Sequence, residues 1–207
     1  MRSLGIAAAV ALLPATGPGP AQANAYSAAF VDAFARACAP QRESYDGSLA
    51  QARSEGWAPV DVASNDELAA VMGKSDAGLE EARAEGLAMD FRYQAFAREI
   101  DGRQLHLLVS YAESDVIDEV GCYLYDFAAS EPVDRAAVSG FIGAEPTEVL
   151  DDPGIVSAVW APPASMPRTL DTYLTYIPAG SEHVEAGGFD GVVLKFSTSA
   201  PDKGAAN

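Results

Sequence analysis

Between Ser27 and Ala39 the apolar residues Phe30, Phe34 and Cys38 recur every fourth position, a spacing that places them on one face of a helix. The pattern predicts a first helix capped by Ser27 and stopped by Pro40. Cys38 then points the same way as the two rings. A second helix is predicted with Ser48 as its cap, ending at Gly56 ahead of Trp57. Ser64-Asn65-Asp66-Glu67 reads as a capping box. It opens a third, short helix ending near Gly73. Residues 74–86 are acidic, rich in Gly and Ala and poorly periodic, and predict a helical turn or a mobile connection.

The period then shortens to two. Residues 91–100 and 103–113 are strand-like runs separated by Asp101-Gly102, a pair that signals a tight hairpin. Leu105, Leu107, Val109 and Tyr111 alternate onto one face. A third strand is predicted over about 118–127, with Val120, Cys122 and Leu124 on one face and Tyr123, Tyr125 and Phe127 on the other. Pro132 and Asp134 suit the first turn of a helix ending at Gly140 or Gly143. Three further strands follow, at about 156–161, 172–177 and 191–198. The expected class is α+β: an antiparallel sheet of about six strands in β3-α-β3 order, with the N-terminal helices packed on one face.

The N-terminus has a different character. Arg2, the apolar run Leu4–Leu13, the breaker Gly17-Pro18-Gly19-Pro20 and the A-x-A site Ala23-Asn24-Ala25 follow the layout of a secretory signal peptide. Cleavage is expected after Ala25, or after Ala23, with the segment between breaker and cleavage site extended for the peptidase. The Leu13-Pro14-Ala15-Thr16-Gly17 string resembles a sorting signal, but such signals work at the C-terminal end of a chain. The expected organisation is a cleaved segment 1–25, one domain over 26–198 and a disordered tail over 199–207. The expected location is the periplasm or the medium, with no membrane span.

Composition sharpens this picture. The chain carries 13 Lys and Arg against 30 Asp and Glu, a net charge of −17. Removing residues 1–25 deletes one basic and no acidic residue. A phosphate backbone requires clustered Lys and Arg, so nucleic acid is excluded as a partner, and a basic protein or cationic ligand is favoured. The two cysteines, Cys38 and Cys122, predict one disulfide in an oxidising compartment. It would close a loop of about 85 residues, worth about 4–5 kcal/mol by chain entropy.

Candidate chemistry is sparse. His106 lies mid-strand and His183 lies in the Gly-rich stretch Pro178–Gly191 with Glu182, Glu185 and Asp190. Either could serve an envelope hydrolase, and the second could help hold a metal. No G-x-S-x-G elbow, phosphate-binding loop or paired-histidine zinc motif accompanies them, and no cofactor is expected. The aromatic stripe Tyr123, Tyr125 and Phe127 is a candidate binding face if open, and core if the 132–143 helix covers it.

Phe34 and Cys38, then Gly56-Trp57, then Cys122-Tyr123-Leu124-Tyr125 resemble a group of small exported bacterial proteins of uncharacterised activity. The resemblance implies export, a disulfide and one α+β domain. The leading expectation is an exported, acidic, non-enzymatic binding or interaction protein that captures a basic partner.

Overall fold

The structure, a computed structural model, describes residues 20–115 and 118–200, with side chains from Asn24 onward. The expected n- and h-regions and most of the expected tail lie outside the described residues.

The chain forms helices α1 (Pro20–Cys38) and α2 (Tyr45–Ser54), strand β1 (Ala58–Val60) and helix α3 (Asp66–Ala84). Strands β2 (Asp90–Ile100), β3 (Arg103–Glu113) and β4 (Asp118–Asp126) follow, then helix α4 (Arg135–Ile142). Strands β5 (Glu148–Asp152), β6 (Ile155–Trp160) and β7 (Thr169–Ile177), the short helix α5 (His183–Gly187) and strand β8 (Gly191–Ser199) complete the described chain. The class is α+β. All pairings are antiparallel, in one sheet of order β1-β2-β3-β4-β8-β7-β6-β5. The last strand thus runs between the two meanders and joins them. At Asp101-Gly102 both residues take positive φ, as the two-residue hairpin requires.

The sheet has eight strands rather than about six. The two extra strands are its edges. β1 is three residues long and contains Pro59, which gives no periodicity to read. β5, Glu-Val-Leu-Asp-Asp, is exposed at every position, so it lacks the buried half that makes a strand legible. Four helix boundaries also move. Ser44, not Ser48, caps α2 by accepting from Gly47 N, while Ser48 is buried and donates to the Gln41 carbonyl at 2.9 Å. Asn65, not Ser64, caps α3. α3 continues to Ala84 because Ala, Glu and Arg sustain a solvated helix by propensity alone; its buried residues, Leu68 and Met72, lie in its first half. At the other end α1 is helical from Pro20, through Ala23 and Ala25. The Ala-rich segment ahead of Tyr26 extends the helix instead of standing extended.

The first face of the sheet carries the main core. Phe30, Phe34, Ala37 and Cys38 of α1 are fully buried against Leu124, Leu194 and Phe196. The Phe34 ring meets Phe196 edge-on at 5.1 Å. Burial of each such side chain contributes about 1.5–3 kcal/mol. The Cys38–Cys122 disulfide, Cα atoms 5.8 Å apart, fastens α1 to β4 at the centre of this layer. α4 packs here too, through Val138 and Ile142. From the same helix the half-buried Ser139 accepts a 3.2 Å bond from the buried Trp160 indole.

The second face has a core of its own: Leu68 and Met72 of α3 on Leu108, Tyr125, Phe127 and Val193, with Phe189 alongside. Helices therefore lie on both faces, because α3 crosses to the side opposite α1 and α2.

Candidate functional site

The aromatic stripe divides. Tyr125 and Phe127 are buried, their rings stacked at 5.1 Å with Phe189 edge-on to Tyr125 at 5.4 Å. Their cover is α3 and Phe189, while the 135–142 helix sits on the Cys122 face. Burial pushes the Tyr125 hydroxyl above its ordinary value. Tyr123, two residues earlier, is only half-buried.

The histidines stand apart. His106 is buried, 5.3 Å from the Phe127 ring, and its Nδ1 has no hydrogen-bond partner. Burial lowers its pKa, against the opposing pull of Glu67 and Asp126. His183 begins α5. Its backbone N–H donates to Ser181 Oγ at 3.1 Å, and Ser181 in turn donates to the Gly154 carbonyl at 2.7 Å. The 181–183 segment is thus tied to the β5–β6 turn. Among the described residues no three His, Cys, Asp or Glu side chains converge as a metal site.

The cleft that combines charge, aromatic surface and room lies on the second face, beside Tyr123. Register dictates its floor. Tyr123 of β4 pairs Lys195 of β8, and Lys195 pairs Tyr173 of β7, so three side chains stand in one row on one face. Lys195 Nζ lies 5.2 Å from the Tyr173 ring centroid and 6.0 Å from that of Tyr123. No carboxylate among the described residues forms an ion pair with it. Burial alone pulls the amine below its ordinary pKa, since the charged form loses water without gaining a counter-charge.

Two local irregularities open the space. Pairing between β7 and β8 slips between Thr169 and Thr172, a bulge that turns Leu170 and Asp171 into a wall. Arg168 precedes it with φ 72°, an uncommon conformation for a side chain of that size. Its guanidinium holds the end of β8 by donating to the Ser199 carbonyl at 3.2 Å and to that of Ala200. The second irregularity is Gly121, which pairs Ser197. A Cβ there would stand 2.7 Å from Tyr123 Cε2 and 2.6 Å from Ser110 Oγ, so the Tyr123 ring lies down over the glycine. The resulting cleft is about 430 Å³, with Pro162 and Leu170 as apolar rim and Ser197 on the floor. That lies within the range of small-molecule sites. A second concavity of about 560 Å³ is bounded by residues 86–90 and 113–115, with three carboxylates and neither a cation nor an aromatic ring.

Asp126, wholly buried, organises a separate polar cluster. It accepts from the Tyr26 hydroxyl, from Arg103 Nη1 at 2.8 Å and from Ala128 N at 3.0 Å. The guanidinium stacks 4.1 Å from the Tyr26 ring centroid. Ser27 adds a tie by accepting from Asp134 N at 2.9 Å. The cluster docks the start of the packed part of α1.

Compared with family models, with curated proteins and with solved structures, the chain matches none. Among the described residues no helix is long and apolar enough to cross a membrane. That and the disulfide are both consistent with an exported protein.

Proposed function

We propose that the chain is an exported, non-enzymatic binding domain whose ligand occupies the Lys195 cleft. One observation carries the reading: an amine without a counter-ion, held between two tyrosine rings at the bottom of a ligand-sized cleft. Keeping a half-buried ammonium unpaired costs stability, and such a cost is commonly retained where function uses the group. The lining supplies charge, aromatic faces and a hydroxyl, the elements of recognition, while His106 and His183 lie outside it.

Export is supported by the layout of residues 1–25 and by the disulfide. Cleavage after Ala25 agrees with the point at which docking starts. Asn24 and Ala25 are exposed, and Tyr26 and Ser27 are the first described side chains bonded to the body. A basic protein would meet Lys195 as a like charge. That partner belongs instead to the acidic outer surface, where α3 and its cap expose Asp76, Glu80, Glu81 and Glu85, and it would be released by salt.

The test is a fragment screen containing acids, bases and neutral compounds, followed by NMR signals of Tyr123, Tyr173 and Lys195. Hits that shift these three residues are expected. A screen in which no compound of any charge perturbs them sinks the binding reading.

A further inference from the structure

We infer that the ligand of this cleft is a small organic monocarboxylate with a flat or extended apolar body, an inference that rests on the binding reading above. The amine fixes the head group. Lys195 has three N–H donors and no ion-pair partner among the described residues. The two rings flank it from neighbouring strands and leave the direction away from the sheet open. A carboxylate placed there completes a charge-assisted pair in a partly desolvated site, where such pairs are strongest. Ser197, two residues on along β8 and on the same face, supplies a second donor to the same head group.

Charge number follows from the rest of the lining. Asp171 stands on the wall with a negative charge of its own. Lys195 is the one cation of the lining and is not ion-paired with Asp171, so the cleft can pair a single negative charge on a ligand. A phosphate monoester, a dianion that wants several donors, is under-served here, and a dicarboxylate meets Asp171 with its second group. A cationic ligand displaces nothing and faces the ammonium directly.

The apolar body follows from the rim. Leu170 is 39 % exposed, which the bulge imposes, and with Pro162 it faces the Tyr123 ring across the opening. Gly121 lets that ring lie down, so it offers a face rather than an edge. A planar ring or an alkyl chain slides between these surfaces with its carboxylate at Lys195.

The experiment uses the oxidised protein and three matched sets: benzoate, phenylpropionate and octanoate, each with its primary amide and its amine. Titrations are followed by NMR at Tyr123, Tyr173 and Lys195. At least one acid is expected to bind about tenfold or more tighter than its amide, with the amines weakest. In Lys195→Met the acid is expected to fall to the affinity of its amide, while the spectrum away from the cleft is unchanged. Lys195→Arg is expected to restore part of the preference. Acid affinity is also expected to fall as pH rises and the amine deprotonates. Acids and amides binding equally in the cleft would overturn the carboxylate assignment and leave the binding reading intact. Failure of all nine probes would overturn the assignment, and an empty fragment screen would remove the binding reading with it.

Discussion

Replacing Asp126 by Ala tests whether the start of α1 is held by one buried carboxylate. The side chain is wholly inaccessible and serves three donors: the Tyr26 hydroxyl, Arg103 Nη1 and the Ala128 amide. Removing one partner of a buried charged cluster costs about 3–5 kcal/mol, mostly through the groups left behind. Arg103 keeps 31 % of its side chain exposed and can rehydrate its guanidinium, which places the cost at the lower end, about 3 kcal/mol. For a domain of this size that corresponds to a fall in Tm of about 6–12 °C. Tyr26→Phe removes only the hydroxyl and should cost about 1 kcal/mol. Because that hydroxyl donates to Asp126, removing Asp126 already takes away its acceptor, and the double variant should lose about as much as Asp126→Ala alone. Urea unfolding of the four proteins measures this, provided the slope with denaturant is unchanged. A loss below about 1 kcal/mol for Asp126→Ala, or additive losses in the double variant, would refute the assignment.

Three further outcomes are expected. Gly191→Ala should be among the most damaging single changes, since φ is +97° and a Cβ would stand 2.9 Å from the Phe127 Cα; loss of soluble folded protein, or at least about 3 kcal/mol in urea, checks it. Cys38→Ala with Cys122→Ala should lower stability by about 2–5 kcal/mol, with a matching loss on reduction of the parent, both read by thermal melting. Folding disfavours the His106 imidazolium, so the folded pKa lies below the unfolded value of about 6.5. Stability is therefore whole above pH 6.5 and declines as pH falls through the folded value; His106→Leu should flatten the slope between about pH 6.5 and pH 5, above the range where most carboxylates titrate.

The sequence displays the fold wherever a residue's burial repeats at a fixed period. Phe30, Phe34 and Cys38 place α1, and the alternation from Leu105 to Tyr111 places β3. Both segments press one side against the core, so both carry a period. β5 and the second half of α3 bury little or nothing and show no period. The face of each helix is equally hidden. α3 and α4 each have an apolar stripe, and nothing local says which side of a two-sided sheet receives it. For that reason the cover over Tyr125 and Phe127 could not be read as α3. The cleft was visible only as Tyr123. Its other members come from β7, β8 and the loop before β7, and only the register Tyr123–Lys195–Tyr173 brings them together. A signal did exist: Lys195 is the single charged residue in Gly191–Ser199, and a lysine in a central strand needs a reason.

That reason follows from the size of the two layers on the second face. Eight strands at about 4.8 Å spacing make a sheet some 34 Å wide. α3, with 19 residues, is about 28 Å long but only about 10 Å across, and only its first half touches the sheet. It can dry β2 to β4 and the adjoining end of β8, and no more. Strands β6 and β7 therefore carry Ser157, Val159, Tyr173 and Thr175 half-exposed on this face, where the first face has Trp160 and Leu174 buried. Lys195 stands on the boundary between the covered and uncovered parts. Solvent reaches it from one side and tyrosines shield it on two others, which leaves its ammonium neither fully hydrated nor paired. A position wholly under α3 would have excluded the charge, and one on the open sheet would have left it hydrated and unremarkable. The unpaired amine is thus a consequence of where the helix stops, and the cleft beside it is the part of the sheet that the fold leaves for a ligand to cover.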